Sequence, residues 1–179
     1  MSAHTSPPRL IVLSGLPGTG KTTIARRLAR RTGAIHFRID TIEAALKRRD
    51  VNFDGANGDI GYVAAYALAR DALQLGQSAI VDAVHGWPGA AALWSEALDG
   101  TDARLLRVAL HCSDPTIHRH RIEARRAERP DQRLPDWQDV QRRAFAPVTT
   151  PEVTLDTAMA SPEAAVETVL RACAPPTPG

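Results

Sequence analysis

One stretch near the N-terminus limits what this chain can fold into. Residues 10–14 are apolar and lead into a loop that ends in Lys21 and Thr22. A continuous apolar run of this kind is typical of a strand buried on both faces, and the residues after the loop have the apolar spacing of a helix. The loop itself reads Gly, four residues, Gly-Lys-Thr. Between a strand and a helix, that spacing is typical of loops that bind nucleotide phosphates.

Each part of this loop has a chemical purpose. Glycines let the backbone turn tightly and bring its N–H groups against phosphate oxygens, where a Cβ atom would obstruct them. The helix expected over about residues 21–32 adds the positive end of its dipole. We expect the Lys21 side chain to be exposed and to reach the β- and γ-phosphates, and the Thr22 hydroxyl to coordinate Mg²⁺. The predicted nucleotide-binding residues are Gly15, Leu16, Pro17, Gly18, Thr19, Gly20, Lys21, Thr22 and Thr23.

Size and composition narrow the class of protein. The 179 residues have the length of one domain, and a net charge of +2 does not by itself indicate nucleic-acid binding. Two cysteines far apart in the chain favour a reducing, cytoplasmic setting. Residues 1–8 have no signal-peptide pattern, and no apolar run is long enough to cross a membrane. We expect one domain over residues 9–173, with disordered tails at residues 1–8 and 174–179.

Strands and helices alternate along the chain. Apolar runs at about residues 34–39, 78–84, 103–112 and 153–157 predict four further strands, with amphipathic segments between them. The alternation predicts a three-layer α/β domain around a parallel five-stranded sheet. A helix expected over about residues 59–75 carries apolar residues at helical spacing that we expect to face the core. They are Ile60, Val63, Ala64, Ala67, Leu68 and Leu75.

Acidic residues follow two of the predicted strands. Asp40 comes at the end of the second strand and Asp82 at the end of the third. The carboxyl ends of parallel strands are where open α/β sheets bind ligands, and Asp82 suits the ordering of Mg²⁺ through a bound water. His85 lies at the same edge. It either contacts the acceptor or, in the interpretation that we favour, is a structural hydrogen-bonding residue. The polar residues 50–58 form either a substrate lid or an ordinary surface connection.

These residues together resemble the small P-loop kinases of the AAA_33 and zeta-toxin type. The similarity covers residues 9–172 and includes the glycine-rich loop, Asp40, the strand that ends in Asp82, and residues 155–157. Neighbours in that group include chloramphenicol phosphotransferase, gluconate kinase and the polynucleotide 5′-kinase domain. The resemblance implies the sheet order 2-3-1-4-5 and ATP-dependent phosphoryl transfer to a hydroxyl. It also implies that Asp40 orients or deprotonates the acceptor.

Arginines are concentrated in the helix after the fourth strand, which is where P-loop kinases have their arginine-bearing lid. The candidates are Arg121, Arg125, Arg126 and Arg129. A solvated helix face would explain such a cluster, but its position favours a phosphate contact for at least one of them. Because Arg125 and Arg126 point in different directions on one helix, only one of these two should face the phosphates.

Glu43 bears on the choice of acceptor. Polynucleotide kinases of this group usually have Asp-x-x-Arg at the place where this chain has Asp40-Thr41-Ile42-Glu43, a segment that looks like the antibiotic-kinase version. Glu43 lies one helical turn after Asp40 and on the same face. We therefore expect an acidic acceptor pocket that favours neutral or amine-bearing compounds over phosphorylated ones.

The sequence thus favours an enzyme that uses Mg²⁺ and ATP to phosphorylate a hydroxyl of a small molecule, such as an antibiotic, a nucleoside or a sugar-like compound. Its predicted catalytic residues are Asp40, Lys21, Arg125 and Arg126, and its predicted acceptor contacts are Asp40, Glu43, Asp82 and His85. A polynucleotide 5′-kinase is one alternative, favoured by the arginines and opposed by Glu43 and the low net charge. The other is a regulatory or toxin module that is switched by ATP.

Overall fold

The computed structural model describes residues 7–53, 58–87, 89–130 and 134–174. The strands in this part of the chain are β1 (Arg9–Ser14), β2 (Ile35–Arg38), β3 (Ala79–Asp82), β4 (Arg104–His111) and β5 (Val153–Asp156). The helices are α1 (Lys21–Thr32), α2 (Ile39–Lys47), α3 (Ile60–Gln74), α4 (Ala90–Leu98), α5 (Pro115–Ala127), α6 (Trp137–Arg142) and α7 (Pro162–Cys173).

All five strands run parallel in one sheet, in the order β2-β3-β1-β4-β5. This is the order that the resemblance implies, so the predicted fold class is confirmed. The strand before the glycine-rich loop lies in the middle, where Leu13 is in register with Asp82 on one side and with Val108 on the other. Parallel strands all end at the same edge, so the loop and Asp82 come together there.

Alternating side chains of β1 build the two cores of the domain. Ile11 and Leu13 point to the face covered by α1 and α7, whereas Leu10 and Val12 point to the face covered by α3 and α4. All four side chains are buried. A strand buried on both faces reads as a continuous apolar run, which is why the pattern at residues 10–14 predicted it correctly.

The predicted inward face of α3 is wrong. Val63, Leu68 and Leu75 are exposed, and Leu75 is 81% exposed. The buried side of the helix instead consists of Gly61, Ala65, Tyr66, Ala69, Ala72 and Leu73. Small residues on this side let α3 pack closely against α4 and the sheet, and Tyr66 and Leu73 fill the remaining space. In α3 the buried side is therefore formed mainly by small residues, and several of the larger apolar side chains face solvent.

Several predicted boundaries also change. The second strand ends at Arg38, and α2 begins at once with Ile39, so Asp40 lies in the first turn of a helix instead of at a strand end. The Pro8 carbonyl accepts a hydrogen bond of 2.9 Å from Arg104 N, so Pro8 belongs to the domain and not to a tail. The rest of the predicted tails, residues 1–6 and 175–179, lies outside the described residues, as do residues 54–57 of the predicted lid.

None of the helices in the described ranges is long and apolar enough to cross a bilayer.

Candidate active site

Two glycines of the loop are required by their surroundings. Gly15 has φ +152°, and a Cβ atom there would lie 2.3 Å from the carbonyl oxygen of Leu110. Gly18 has φ +84°, and its Cβ would lie 2.7 Å from Ile122 Cδ1 and 3.0 Å from His118. Any side chain would therefore clash with β4 or α5 and strain the backbone. The loop is packed into the fold on both sides.

The N-terminus of α1 opens towards this loop. Its N-cap residue is Gly20, so no side chain caps the free N–H groups of the first turn. Acidic residues are absent from that turn. Free N–H groups and the positive end of the helix dipole together favour a bound anion, and here they lie directly after the glycine-rich loop.

Lys21 is buried, against the expectation of an exposed side chain. Its ammonium donates hydrogen bonds of 2.8 Å to the carbonyl of Gly15 and 2.9 Å to that of Leu16, and only 8% of the residue is exposed. Burial lowers the pKa of Lys21 to about 8, although the carboxylates of Asp82 and Asp40 act in the opposite direction. The loop folds back over its own lysine and holds the charge where phosphates would bind.

Asp82 lies beside this lysine at the end of β3. Burial would raise the pKa of its carboxyl, but His36, the Lys21 ammonium and the Thr22 hydroxyl hold that pKa below its ordinary value. His36 Nε2 is 3.4 Å from Asp82 Oδ2 without a hydrogen-bonding orientation, and Oδ2 has no hydrogen-bond partner among the described residues. A buried, ionised oxygen without a partner suits a site for a cation or its bound water.

The donor set fits Mg²⁺ rather than a metal held entirely by protein. The described ranges contain no cluster of three or more His, Cys, Asp or Glu side chains that could ligate a metal. Mg²⁺ usually keeps several waters and binds through one or two protein oxygens together with substrate phosphates. The Thr22 hydroxyl and Asp82 provide oxygens of this kind.

Asp40 projects from the first turn of α2 and is bound by two arginines. Arg125 Nη2 lies 3.2 Å from its Oδ2, and Arg38 forms an ion pair with the same oxygen. The Asp40 side chain is 55% exposed. A single carboxylate thus connects α2 with α5 across the mouth of the cleft.

Three of the four candidate arginines face one cavity, Arg121 and Arg125 from α5 and Arg129 from just after its end. Arg121, Arg125 and Arg129, spaced four residues apart, line a cavity of about 390 Å³ together with Gly18, Gly20 and residues 21–23. Arg121 is fixed by hydrogen bonds of 2.9 Å and 2.8 Å to the hydroxyl and carbonyl of Thr157.

Arg126 points away from this cavity, which does not include it in its lining. Its guanidinium lies 4.0 Å from Asp136 instead. A step of one residue along a helix turns the side chain by about 100°, so Arg125 and Arg126 cannot share a face. The structure therefore separates the two arginines as expected and puts Arg125 on the cavity side.

The same side of α5 also rests on the glycine-rich loop, since His118 and Ile122 lie three residues before Arg121 and Arg125. His118 is buried, with its Nε2 2.7 Å from the carbonyl oxygen of Pro17, and Ile122 covers Gly18. The His118 ring also contacts Trp137 edge-on, at 5.3 Å between centroids. The helix that carries the arginines is thus fixed to the loop that binds phosphates.

A second cavity adjoins the other side of the loop. The carbonyl of Val84 accepts hydrogen bonds of 3.3 Å from Gly15 N and 3.0 Å from Ser14 Oγ, and Val84 also lines this cavity. The cavity has a volume of about 490 Å³. Its lining residues are Gly58, Asp59, Tyr62, Val84, Gly86, Trp87, Arg143 and Ala144. The volume is in the range of sites for small molecules.

Glu43 lies near this second cavity, but its charge is largely compensated. Lys47 Nζ is 3.8 Å from the Glu43 carboxylate. The Glu43 side chain packs against Gly61 of α3, where an added Cβ atom would lie 2.6 Å from Glu43 Cγ. Burial raises the pKa of Glu43, and the charges of Lys47 and Arg143 oppose that shift. The acidity that Glu43 was expected to give the acceptor pocket is therefore reduced by Lys47 and by burial.

The model of the AAA_33 family, described as an AAA domain, matches residues 10–148, which is most of the chain. The chain belongs to this family. The match includes the glycine-rich loop, Asp40, Asp82 and the arginines of α5, so the family covers both walls of the cleft.

Solved structures with this fold include kinases. The APS kinase of Mycobacterium tuberculosis, in complex with AMPPNP and APS, has a TM-score of 0.72 at 15% identity, over 93% of this chain and 98% of that chain. A sugar kinase from Janibacter sp. HTCC2649 has a TM-score of 0.65 at 20% identity, over 92% of this chain and 94% of that chain. A gluconokinase from Sinorhizobium meliloti 1021 has a TM-score of 0.62 at 16% identity, over 93% of this chain and 92% of that chain. At such identities the likeness shows the fold, which is that of small P-loop kinases.

His85 lies inside this AAA_33 domain, and neither of the two cavities includes it in its lining. It is 2% exposed, its Nε2 is 2.8 Å from Tyr66 Oη, and its ring contacts Tyr62 and Trp94. Its φ is +50°. Burial lowers the pKa of His85 to about 4. The histidine thus has the hydrogen-bonded interior surroundings of a structural residue.

The free energy of unfolding should fall in acid because of His85. As the pH drops from 6.5 to about 4, the unfolded chain gains a proton on this histidine and the folded chain does not. Because of that difference, the free energy of unfolding should fall by about 3 kcal/mol over this pH window. In His85→Asn, where asparagine tolerates the positive φ, the loss should be smaller by about this amount. Urea unfolding at several pH values measures it, and identical pH slopes in both proteins would contradict the interpretation.

Some of the residues that line the cavities have no recognisable signal in the sequence. Arg38 and Arg26 face the first cavity, and Arg143 faces the second. In a chain whose basic residues are nearly all arginine, none of the three stands out. Arg38 could have been found from its place two residues before Asp40, whereas Arg143 directly follows a short helix, α6.

Proposed function

We propose that this protein transfers the γ-phosphoryl group of ATP, with Mg²⁺, to a hydroxyl of a small molecule such as an antibiotic, a nucleoside or a sugar-like compound. One observation carries the proposal: the buried Lys21 and Arg125 line one cavity beside the glycine-rich loop, and Arg125 Nη2 lies 3.2 Å from the Asp40 carboxylate. The charges of Asp82 and Asp40 both act on the pKa of Lys21, so a cation for phosphates, a carboxylate for a metal and a carboxylate for an acceptor would meet here. Both cysteines are unpaired, which suits a cytoplasmic enzyme.

The residues of the first cavity would hold the nucleotide. Backbone N–H groups of the loop and of α1 face its phosphates, and Arg121, Arg125 and Arg129 bring positive charge from the opposite wall. Thr22 and Asp82, the latter through water, would hold Mg²⁺, which neutralises charge on the transferred group. Phosphoryl transfer of this kind depends mainly on positioning and electrostatic stabilisation. The APS kinase neighbour was solved with AMPPNP, which supports nucleotide binding in this cleft.

Asp40 would act on the acceptor. Its carboxylate can accept the proton of an incoming hydroxyl or align that hydroxyl with the γ-phosphate. Its contact with Arg125 places the carboxylate beside the wall that faces the phosphates. The gluconokinase and sugar kinase neighbours are named for small hydroxyl compounds, which supports an acceptor of similar size.

An ADP-release screen tests the proposal. The acceptors would be aminoglycosides, chloramphenicol-like antibiotics, nucleosides, sugar acids and 5′-hydroxyl oligonucleotides, each with Mg²⁺ and ATP. We expect ADP release to depend on one class of small hydroxyl compound. Release with oligonucleotides alone would instead favour a polynucleotide 5′-kinase. Slow hydrolysis that no acceptor accelerates would favour an ATP-switched module.

Arg125 and Arg126 form a matched pair for a test of the arginine wall. Arg125→Ala should lower kcat by on the order of 10³, at the lower end of arginine-finger effects, because Arg125 lines the nucleotide cavity and contacts Asp40. Arg126→Ala removes the same charge from the other side of α5 and should change kcat by less than about twofold. Equal losses in the two variants, or no loss in either, would contradict the assignment. Steady-state kinetics with saturating ATP measure both.

A further inference from the structure

The second cavity lies against the phosphate-binding loop through a single piece of backbone. The Val84 carbonyl accepts hydrogen bonds from Ser14 Oγ and Gly15 N, and Val84 lines the cavity, so the cavity lies next to the start of the phosphate-binding loop. Ala146 N donates a hydrogen bond of 3.3 Å to the Gly86 carbonyl, and Phe145 packs against Gly86. These contacts hold the segment after α6 against the loop after β3 and close the cavity on that side.

One wall of the cavity is aromatic. The rings of Tyr62 and Trp87 meet edge-on with centroids 4.3 Å apart, and the His85 ring supports Tyr62 from the interior at 5.5 Å. Burial raises the pKa of the Tyr62 phenol, so its ring stays uncharged at neutral pH. Aromatic rings held in this way offer flat apolar surface to another ring at a low cost in conformational entropy.

The cavity also has one cation without a counter-charge. Among the described residues, no carboxylate forms an ion pair with Arg143, which lines the cavity. The positive charge of Arg143 acts to lower the pKa values of Lys21, Glu43 and Tyr62.

The nearby carboxylates are already compensated. Asp40 is bound by Arg38 and Arg125, and Glu43 faces Lys47. Asp59, the acidic residue in the lining, is the N-cap residue of α3, where the helix dipole offsets its charge. Arg143 is therefore the charge in this cavity that a ligand would neutralise.

We propose that this cavity binds the acceptor and selects a hydroxyl compound with a flat ring and an anionic group, the ring against Tyr62 and Trp87 and the anion on Arg143. The proposal rests on the proposed kinase function. The acceptor oxygen forms a bond to the γ-phosphorus, the bond from that phosphorus to the β–γ bridging oxygen breaks, ADP leaves, and the hydroxyl proton goes to Asp40. This selection is the opposite of the preference that Glu43 suggested from the sequence.

Four matched probes separate the ring from the charge. They are para-(hydroxymethyl)benzoate, benzyl alcohol, para-(aminomethyl)benzyl alcohol and the saturated para-(hydroxymethyl)cyclohexanecarboxylate. Calorimetric titration with Mg²⁺ and AMPPNP present measures Kd without turnover. We expect the benzoate to bind tightest, by about tenfold over benzyl alcohol from the charge and about threefold over the saturated acid from the ring.

Two variants assign each preference to its residue. Arg143→Gln should remove the advantage of the benzoate over benzyl alcohol, and Trp87→Leu should remove its advantage over the saturated acid. The matched control is Arg142→Gln, one residue earlier, whose guanidinium is bound 3.3 Å from the Gln138 side chain within α6. That control should keep both preferences.

Equal binding of the four probes, binding of none, or tighter binding of the amine would overturn the proposal. So would an Arg143→Gln protein that keeps the benzoate preference, or an Arg142→Gln protein that loses it. In each of these cases acceptor-dependent ADP release would still support the kinase function. Conversely, benzoate binding through Arg143 without ADP release from any acceptor would keep the ring-and-anion site and remove the kinase reaction.

Discussion

Asp40→Asn should lower turnover by on the order of 10² to 10⁴, the usual range for loss of a general base, with the Kd for ATP nearly unchanged. The amide keeps the shape of the side chain but cannot take the proton of the acceptor hydroxyl. It also weakens the contact with Arg125 Nη2, which is 3.2 Å away, and the ion pair with Arg38. Single-turnover kinetics and nucleotide titration measure the two quantities separately.

A double variant distinguishes the base from its arginine partner. If Asp40 acts only by holding Arg125, then Asp40→Asn and Arg125→Ala should together cost no more than the worse of the two alone. If Asp40 also takes the proton, the double variant should be slower than either single variant. Asp71→Asn, on the exposed side of α3, is the matched control and should leave kcat unchanged within about twofold. Normal kcat in Asp40→Asn would contradict the role given to this carboxylate.

Lys21→Met should lower kcat by about 10² to 10³, the range for loss of one preorganised donor to a developing charge, and should also weaken ATP binding. The fold should persist, because the methionine keeps the apolar stem and a buried ammonium is itself costly to desolvate. Thermal unfolding checks the fold, and ADP release checks the rate. Unchanged turnover would contradict the assignment of the phosphate-binding loop.

The same lysine should make ATP binding depend on pH. Its pKa of about 8 in the free protein means that the ammonium is lost as the pH rises through 8, whereas bound phosphates require the charged form. The Kd for ATP should therefore rise above pH 8, by up to about tenfold per pH unit, and stay flat below it. In Lys21→Met this dependence should disappear. An equal dependence in both proteins would assign it to another group.

The parts of the site that the sequence predicted are those that backbone chemistry dictates. A loop that must wrap phosphates needs glycines at fixed positions, and Gly15 and Gly18 indeed leave no room for a side chain. A central parallel strand needs a continuous apolar run, so β1 could be predicted from the residues, whereas the order of the sheet came from the family resemblance. Such requirements are local, and a single sequence shows them.

The parts that the sequence did not predict depend on packing between distant elements. Lys21 is buried because the Gly15 and Leu16 carbonyls fold over it, which no periodicity reveals. Arg143 faces the second cavity only because residues 145 and 146 are held against Gly86, which is far away in the chain. The inward face of α3 was mistaken because close packing selected Ala and Gly over larger apolar residues.

The two cavities are lined by different parts of the molecule, which can change independently. The nucleotide cavity is lined by residues of the glycine-rich loop, of α1, of α5 and the segment just after it, and by Arg38, Thr157, Ala160 and Pro162. The lining of the second cavity consists of Gly58, Asp59, Tyr62, Val84, Gly86, Trp87, Arg143 and Ala144, so the two sets share no described residue. Substitutions that reshape the second set leave every phosphate-facing group in place. A domain built in this way can acquire a new acceptor through a few changes in one compartment while its nucleotide chemistry is inherited intact.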